Sequence, residues 1–210
     1  MVFIASIANA KGGSGKSTTS INLGVALSRL GKDVTVVDGN LSNPYLGSYL
    51  GAPHVDVTLH HVLNGSANLN EALYEHISGM KVVPGSIKSH DSFKNLSLSD
   101  FRNHISQLNS DVVIIDSAPG MDEESIKMAD EVLIVTPPEL PSVTHSLKTV
   151  KLAEKLGKKI SGILLTRAGH QTDMKKESIE AMLGHQVIGV IPEDESVKHA
   201  MAKREPVSSI

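Results

Sequence analysis

One octapeptide concentrates the residue types that handle phosphate: Lys11-Gly12-Gly13-Ser14-Gly15-Lys16-Ser17-Thr18. Its glycines let backbone N–H groups turn inward around an anion, and the helix that follows adds its positive N-terminal end. In such a loop Lys16 neutralises β- and γ-phosphate charge, and the Ser17 hydroxyl ligates Mg²⁺. A plain glycine turn is the competing reading. An apolar run over residues 2–8 leads into the octapeptide and a helical pattern over residues 18–30 leads out, which is the context a phosphate loop requires. The expected ligands are therefore ATP or ADP with Mg²⁺.

A second feature fits the first. The apolar run 112–115 ends in Asp116, which can hold Mg²⁺ through its water shell. Ser117-Ala118-Pro119-Gly120 then begins a loop able to sense a γ-phosphate, with Gly120 permitting close backbone approach. An acid ending a strand can also serve as a cap, and Gly120 as a simple turn. Paired with the phosphate loop, the ligand role is favoured for Asp116. Lys11 is the unusual member, because the general loop pattern opens with glycine. Its plain reading is a solvated surface lysine.

These groups need elements to position them. Apolar runs of strand length recur at residues 2–8, 34–37, 80–83, 112–115, 132–135, 160–165 and 187–191. Helical patterns cover 18–30, 58–63, 70–74, 99–108, 125–129, 142–156, 175–183 and 196–202. Strands apolar on both faces and alternating with helices imply a parallel sheet covered on both sides. The expected fold is α/β: one doubly wound, mainly parallel sheet in a single domain over residues 1–210. Ligands of such sheets lie outside the carboxyl ends of the strands, where most of the features above fall.

Composition removes other classes. The chain has 210 residues, a net charge of −3 and no cysteine, which excludes disulfides, cysteine-ligated zinc and iron–sulfur clusters. No apolar run reaches transmembrane length, and the N-terminus opens directly into a strand pattern. The expected location is cytoplasmic. The 10 histidines, His60-His61 included, lack companions at metal-ligand spacing. Lys148, Lys151, Lys155, Lys158 and Lys159 read as a solvated helix face rather than a DNA-binding patch. Asp122-Glu123-Glu124 reads as the acidic start of a helix.

The lysine-first octapeptide resembles the deviant Walker A loop of the MinD/ParA family of P-loop ATPases. The resemblance covers nearly the whole chain and looks strongest to the MinD branch. Val36-Val37-Asp38-Gly39-Asn40, Val82-Val83-Pro84-Gly85, Thr136-Pro137-Pro138-Glu139, Leu165-Thr166-Arg167 and Ile191-Pro192-Glu193-Asp194-Glu195-Ser196-Val197 all fall where that family has corresponding segments. It implies an ATP-bound homodimer in which Lys11 crosses to the partner's nucleotide. It implies a nucleotide role for Asp38 at the start of switch I, and an adenine pocket formed by Arg167, Pro192, Glu193 and Asp194. Arg167 would stack on the base or serve in a surface ion pair.

The sequence departs from the family in two places. Where family members carry a second switch I aspartate that positions the attacking water, this chain has Asn40. An amide can accept a hydrogen bond from water but cannot take its proton, so the expectation is slow hydrolysis carried by Lys11, Lys16 and Asn40. The family also continues into a further helix and a basic amphipathic helix that binds membrane. Neither pattern is seen before Ile210, so membrane binding is expected to be lost in this chain, and peripheral attachment would need that helix. The resemblance implies a switch that positions the division machinery or another cargo through an unidentified protein partner. A partitioning or flagellar-number ATPase, a nucleotide-gated scaffold without meaningful turnover, and a metabolic kinase are the rivals.

Overall fold

The computed structural model describes residues 2–87, 96, 98, 101–105 and 108–207. In chain order the elements begin with β1 (Phe3–Ala8), α1 (Lys16–Arg29), β2 (Val34–Asp38), α2 (Leu46–Tyr49) and α3 (Leu59–Leu63). A 3₁₀ turn (Leu69–Ala72) leads to β3 (Tyr74–Glu75), β4 (Lys81–Val83), α4 (Phe101–Ile105), β5 (Val112–Asp116) and α5 (Glu123–Met128). Then come β6 (Glu131–Thr136), α6 (Leu140–Lys155), β7 (Lys159–Ala168), α7 (Lys176–Leu183), β8 (Val187–Pro192) and α8 (Glu195–Lys203). The strands form one sheet in the order β3-β4-β2-β5-β1-β6-β7-β8, parallel throughout except for β3 against β4.

Side-chain parity along the strands divides the core. Ile7, Val34, Val36, Ile114, Leu133 and Val135 pack on the α1 side together with Ile21 and Val25. Ile4, Val37, Val113 and Ile115 face the other side and meet Leu59, Phe101 and Ile105. Further along that same face, Val132, Ile134, Ile163 and Leu165 meet Val143 and Val150 of α6 and Ile179 of α7. A two-residue period apolar on both faces is what a parallel sheet needs when helices cover it twice. α1 lies close to its sheet at Gly24, where an added Cβ would fall 2.6 Å from Val36 Cγ2 and 2.5 Å from Met80 Sδ.

The central strand is β1, hydrogen-bonded to β5 on one side and β6 on the other. The chain leaves β1 toward β2 and returns across it from β5 to β6, so the winding reverses there. A crevice opens at such a reversal, and the octapeptide is the loop that leaves its central strand.

One sequence expectation changes. Residues 70–74 do not form a helix: Asn68 and Glu71 make a reciprocal cap that starts the 3₁₀ turn one residue earlier. Tyr74 instead joins β3, its hydroxyl donating to Val57 O at 2.9 Å. The helix expected at 99–108 is observed as α4, and residues 99, 100, 106 and 107 of that span lie outside those described. The short α2 has no forerunner in the sequence patterns, for a reason found in the site.

Candidate functional site

The octapeptide turns because two of its glycines adopt left-handed backbone, Gly13 at φ 71° and Gly15 at φ 95°. Neighbouring elements then fix its carbonyls from outside. Thr166 Oγ1 donates to Ser14 O at 2.9 Å, and the Arg167 guanidinium donates to Gly13 O at 2.7 Å. At the loop's start, Lys11 N donates to Asn9 Oδ1 at 2.9 Å, while Asn9 Nδ2 donates to Val135 O at 2.7 Å and Ser146 Oγ at 2.9 Å. The carbonyls of Gly13 and Ser14 are thus engaged by β7, and the Lys16 ammonium lies 3.3 Å from Lys11 O. α1 begins at Lys16 without a side-chain cap, so its positive end is open to an anion. The buried Ser14 hydroxyl has no hydrogen-bond partner, as a group awaiting a polar ligand would not.

Below the loop, charge is concentrated under little solvent. Burial lowers the pKa of Lys16, opposed by the nearby charges of Asp116 and Asp122. Asp116 is raised to about 6 by burial, against the stabilising Ser17 hydroxyl, the Lys16 charge and Ser20, whose Oγ donates to Oδ1 at 3.1 Å. Ser17 and Asp116 therefore meet at the foot of the loop, a hydroxyl and a carboxylate suited to a hard cation that keeps much of its water. No group of three or more histidine, cysteine or acidic side chains able to hold a metal occurs among the described residues. A site completed by phosphate oxygens and water, as Mg²⁺ prefers, fits this donor set.

Asp38 stands beside Asp116 in the register of β2 and β5. Burial and that neighbouring charge raise its pKa to about 7. Its Oδ2 accepts the Tyr45 and Leu46 N–H groups at 2.8 and 2.9 Å, and these bonds start α2. The Asn40 N–H also favours the charged form, although Oδ1 has no partner of hydrogen-bonding geometry. Asp38 thus organises the loop after β2 from beneath. Asn40 is occupied by its own turn, with Nδ2 donating to Asn43 O at 2.8 Å and Oδ1 accepting the Asn43 N–H at 3.2 Å.

The loop after β5 is tied to the same centre. Gly120, at φ 104°, donates its N–H to Ala10 O at 2.9 Å. Asp122 accepts the Ala118 N–H at 2.8 Å and caps α5 through Ser125 N at 3.1 Å. The acidic start read from the sequence is therefore a working cap. His60 has no metal role: Nδ1 accepts the Ser86 N–H at 3.0 Å, which leaves Nε2 to donate to Leu41 O at 3.0 Å.

A cleft of about 820 Å³ runs from the loop toward the ends of β7 and β8. Of the residues expected at the site, Gly13, Gly15, Lys16, Ser17, Thr18, Arg167, Pro192, Glu193 and Asp194 line it. Lys11, Gly12, Ser14, Asp38, Asn40, Asp116 and Gly120 do not. Arg167 lines the cleft, and its guanidinium also holds the loop through Gly13 O, a contact that neither sequence reading included. Glu193 is paired with Lys198 at 3.4 Å and Asp194 caps α8 through Ser196 N at 2.8 Å, so both carboxylates are engaged locally. Lys11 Nζ lies 2.6 Å from Ser142 Oγ and 3.3 Å from Glu139 Oε2. Three of the five clustered lysines are engaged as well: Lys151 with Glu154, Lys159 with Glu131, and Lys158 with Ala129 O. That favours the solvated-face reading.

Sequence reasoning passed over Asn9 and Ser20, and quoted Thr166 within a segment without giving it a role. Each acts through a partner far along the chain, and only the position of Thr166 at the end of an apolar run could have drawn attention to it. Among the described residues no helix is long and apolar enough to cross a membrane.

Comparison with known proteins agrees with this geometry. Residues 5–207 match the CobQ/CobB/MinD/ParA nucleotide binding domain. An uncharacterised ATP-binding protein of Methanocaldococcus jannaschii is 35% identical over 99% of this chain and 81% of its own length. The septum site-determining protein MinD of Thermotoga maritima is 30% identical over 96% of this chain and 79% of its own. Among solved structures, the cell division ATPase MinD of Pyrococcus furiosus superposes with a TM-score of 0.92 at 32% identity, covering 99% of this chain and 90% of that one. MinD of Pyrococcus horikoshii, solved with Mg-ADP, gives 0.91 at 30% identity, covering 99% and 88%. The chain belongs to the CobQ/CobB/MinD/ParA nucleotide-binding family, and within it to the MinD/ParA ATPases, whose phosphate loop is the one built here between β1 and α1.

Proposed function

We propose that this protein is an ATP-dependent dimerising switch of the MinD type that hydrolyses ATP slowly and positions a cargo, the division machinery being the leading candidate. The observation that carries the reading is the placement of the two loop lysines. Lys16 lines the cleft, whereas the Lys11 ammonium is engaged by Ser142 of α6 on its own subunit. A site that makes no use of its own Lys11 is consistent with one completed by the Lys11 of a second copy.

The loop N–H groups, the N-terminal end of α1 and Lys16 would hold the triphosphate. Ser17, with Asp116 behind it, would hold Mg²⁺, which supplies charge neutralisation at the β- and γ-phosphates. The base would lie toward Arg167, Pro192 and the backbone at Glu193 and Asp194. Asp38 orders the loop after β2, and Gly120 ties the loop after β5 to Ala10, so both loops would rest on groups near the γ-phosphate of a nucleotide held by the octapeptide. Phosphate loss would then relax both loops and weaken the dimer. Asn40 lacks a basic group, so water is positioned without general-base help.

Sedimentation with Mg²⁺ and a slowly hydrolysed ATP analogue tests the reading. The wild-type chain should dimerise, and Lys11→Ala should bind nucleotide yet stay monomeric. Dimers that persist in Lys11→Ala would refute the crossing lysine. A second reading, a nucleotide-gated scaffold without turnover, draws on the self-satisfied Asn40 turn. Phosphate release at the blank rate, with the dimer intact, would select it.

A further inference from the structure

Lys11 is held on its own subunit. Its ammonium lies 2.6 Å from Ser142 Oγ and 3.3 Å from Glu139 Oε2, and Ser142 Oγ donates to the same carboxylate oxygen at 3.1 Å. Ser142 is fully buried in the first turn of α6, and Glu139 is the residue that precedes that helix. The Glu139 side chain does not cap α6, so its carboxylate is directed to Lys11 and Ser142. A cation beside a helix N-terminus is disfavoured by the helix dipole, and an acid at that place offsets the cost. Without Glu139, Lys11 would be pushed away from α6.

The frame around the contact is stiff. Asn9 links the backbone of Lys11 to Ser146 one turn further along α6, through bonds of 2.9 Å each. The backbone at Lys11 is thus fixed relative to α6, and only the Lys11 side chain is left to move. The pair itself is partly solvated, with 34% of the Lys11 and 50% of the Glu139 side chain exposed, so it is weak enough to exchange. Consistent with the contact, Lys11 holds the Glu139 carboxyl below its ordinary pKa.

We propose that Glu139, supported by Ser142, is a positioning residue that retains Lys11 in cis and so sets how readily the lysine is released to a second copy of this chain. The inference rests on the dimerising reading above. The contact must break in both subunits when the dimer forms. With about 2- to 5-fold per exposed pair, its loss should tighten the dimer by about 4- to 25-fold.

The experiment combines two measurements. In sedimentation with Mg²⁺ and the ATP analogue, Glu139→Gln should lower the dimer dissociation constant by that factor. Ser142→Ala should shift it in the same direction by less. Lys11→Ala/Glu139→Gln should show no gain, because the effect passes through Lys11. In the ADP form, acylation of Lys11 by an amine-reactive reagent, read by peptide mapping against Lys151, should quicken a few-fold in Glu139→Gln. Unchanged Lys11 acylation overturns the proposal, as does an unchanged or weaker dimer where wild type dimerises. If neither protein dimerises while Lys11 acylation quickens, the cis contact stands and the dimerising reading fails.

Discussion

Burial and two acids pull the Lys16 ammonium in opposite directions, so a ligand bringing further negative charge to the loop stabilises its charged form. Removing it leaves the phosphates without their buried cation. Lys16→Ala should weaken ATP binding by about 100-fold or more, measured by calorimetry. A variant that binds ATP as tightly as wild type would show that the loop N–H groups suffice. Asn40 is a contrasting case, because its amide is spent on Asn43. An aspartate there keeps the bond from the Asn43 N–H, loses the donor to Asn43 O and repels that carbonyl, which frees the carboxylate for water. Asn40→Asp should raise kcat about 10-fold or more at unchanged nucleotide affinity, in a phosphate-release assay. Equal or lower turnover would sink the idea.

At the scale of elements, the phosphate loop is shaped as much by β7 as by its own glycines. Thr166 and Arg167, consecutive at the end of that strand, donate to the consecutive carbonyls of Ser14 and Gly13. Arg167 adopts φ 52° there, a conformation that costs a non-glycine residue about 1 kcal/mol or more. A clamp on the loop and a stack on the base make different predictions. If Arg167 clamps the loop, Arg167→Ala should weaken ATP and inorganic tripolyphosphate by the same factor, about 10-fold. A loss confined to ATP would restore the stacking role. The octapeptide, Asp116 and the long apolar strands were legible because their information is local: a spacing, a period, an acid at a strand end. What escaped was long-range. α2 starts on the carboxylate of Asp38, eight residues back from Leu46, and so has no start signal of its own. β3 is two residues long and exists by pairing with β4. Asn9 looks like any polar residue after a strand until Val135 and Ser146 are brought beside it.

The molecule as a whole buries two acids side by side at the carboxyl ends of β2 and β5, the point where its sheet opens to the ligand. Without a cation between them, Asp38 and Asp116 are held protonated to about pH 7 and about pH 6, by burial foremost. An unfolded chain would release these protons near pH 4. Between pH 4 and 7 these two acids therefore bind more protons in the folded state than in the unfolded one, and their contribution to stability falls as pH rises through that window. Above pH 7 the loss is complete, and below pH 4 it is absent. Other groups titrate in the same range, so the comparison has to be with Asp38→Asn, which keeps an oxygen for the Tyr45 and Leu46 N–H groups. Relative to that variant, the ligand-free wild type should lose on the order of 2 kcal/mol between pH 4.5 and 7.5 in urea titrations. A Mg²⁺ ion held with nucleotide beside Ser17 and Asp116 would favour the ionised form of both acids through its charge, so its affinity should rise over the same interval with release of protons. The site is then destabilised at neutral pH by charges that Mg²⁺-nucleotide would neutralise on the proposed reading, and binding would recover that stability. A wild-type-minus-variant difference independent of pH would show that Asp38 is ionised throughout, with its charge met by the N–H groups that start α2.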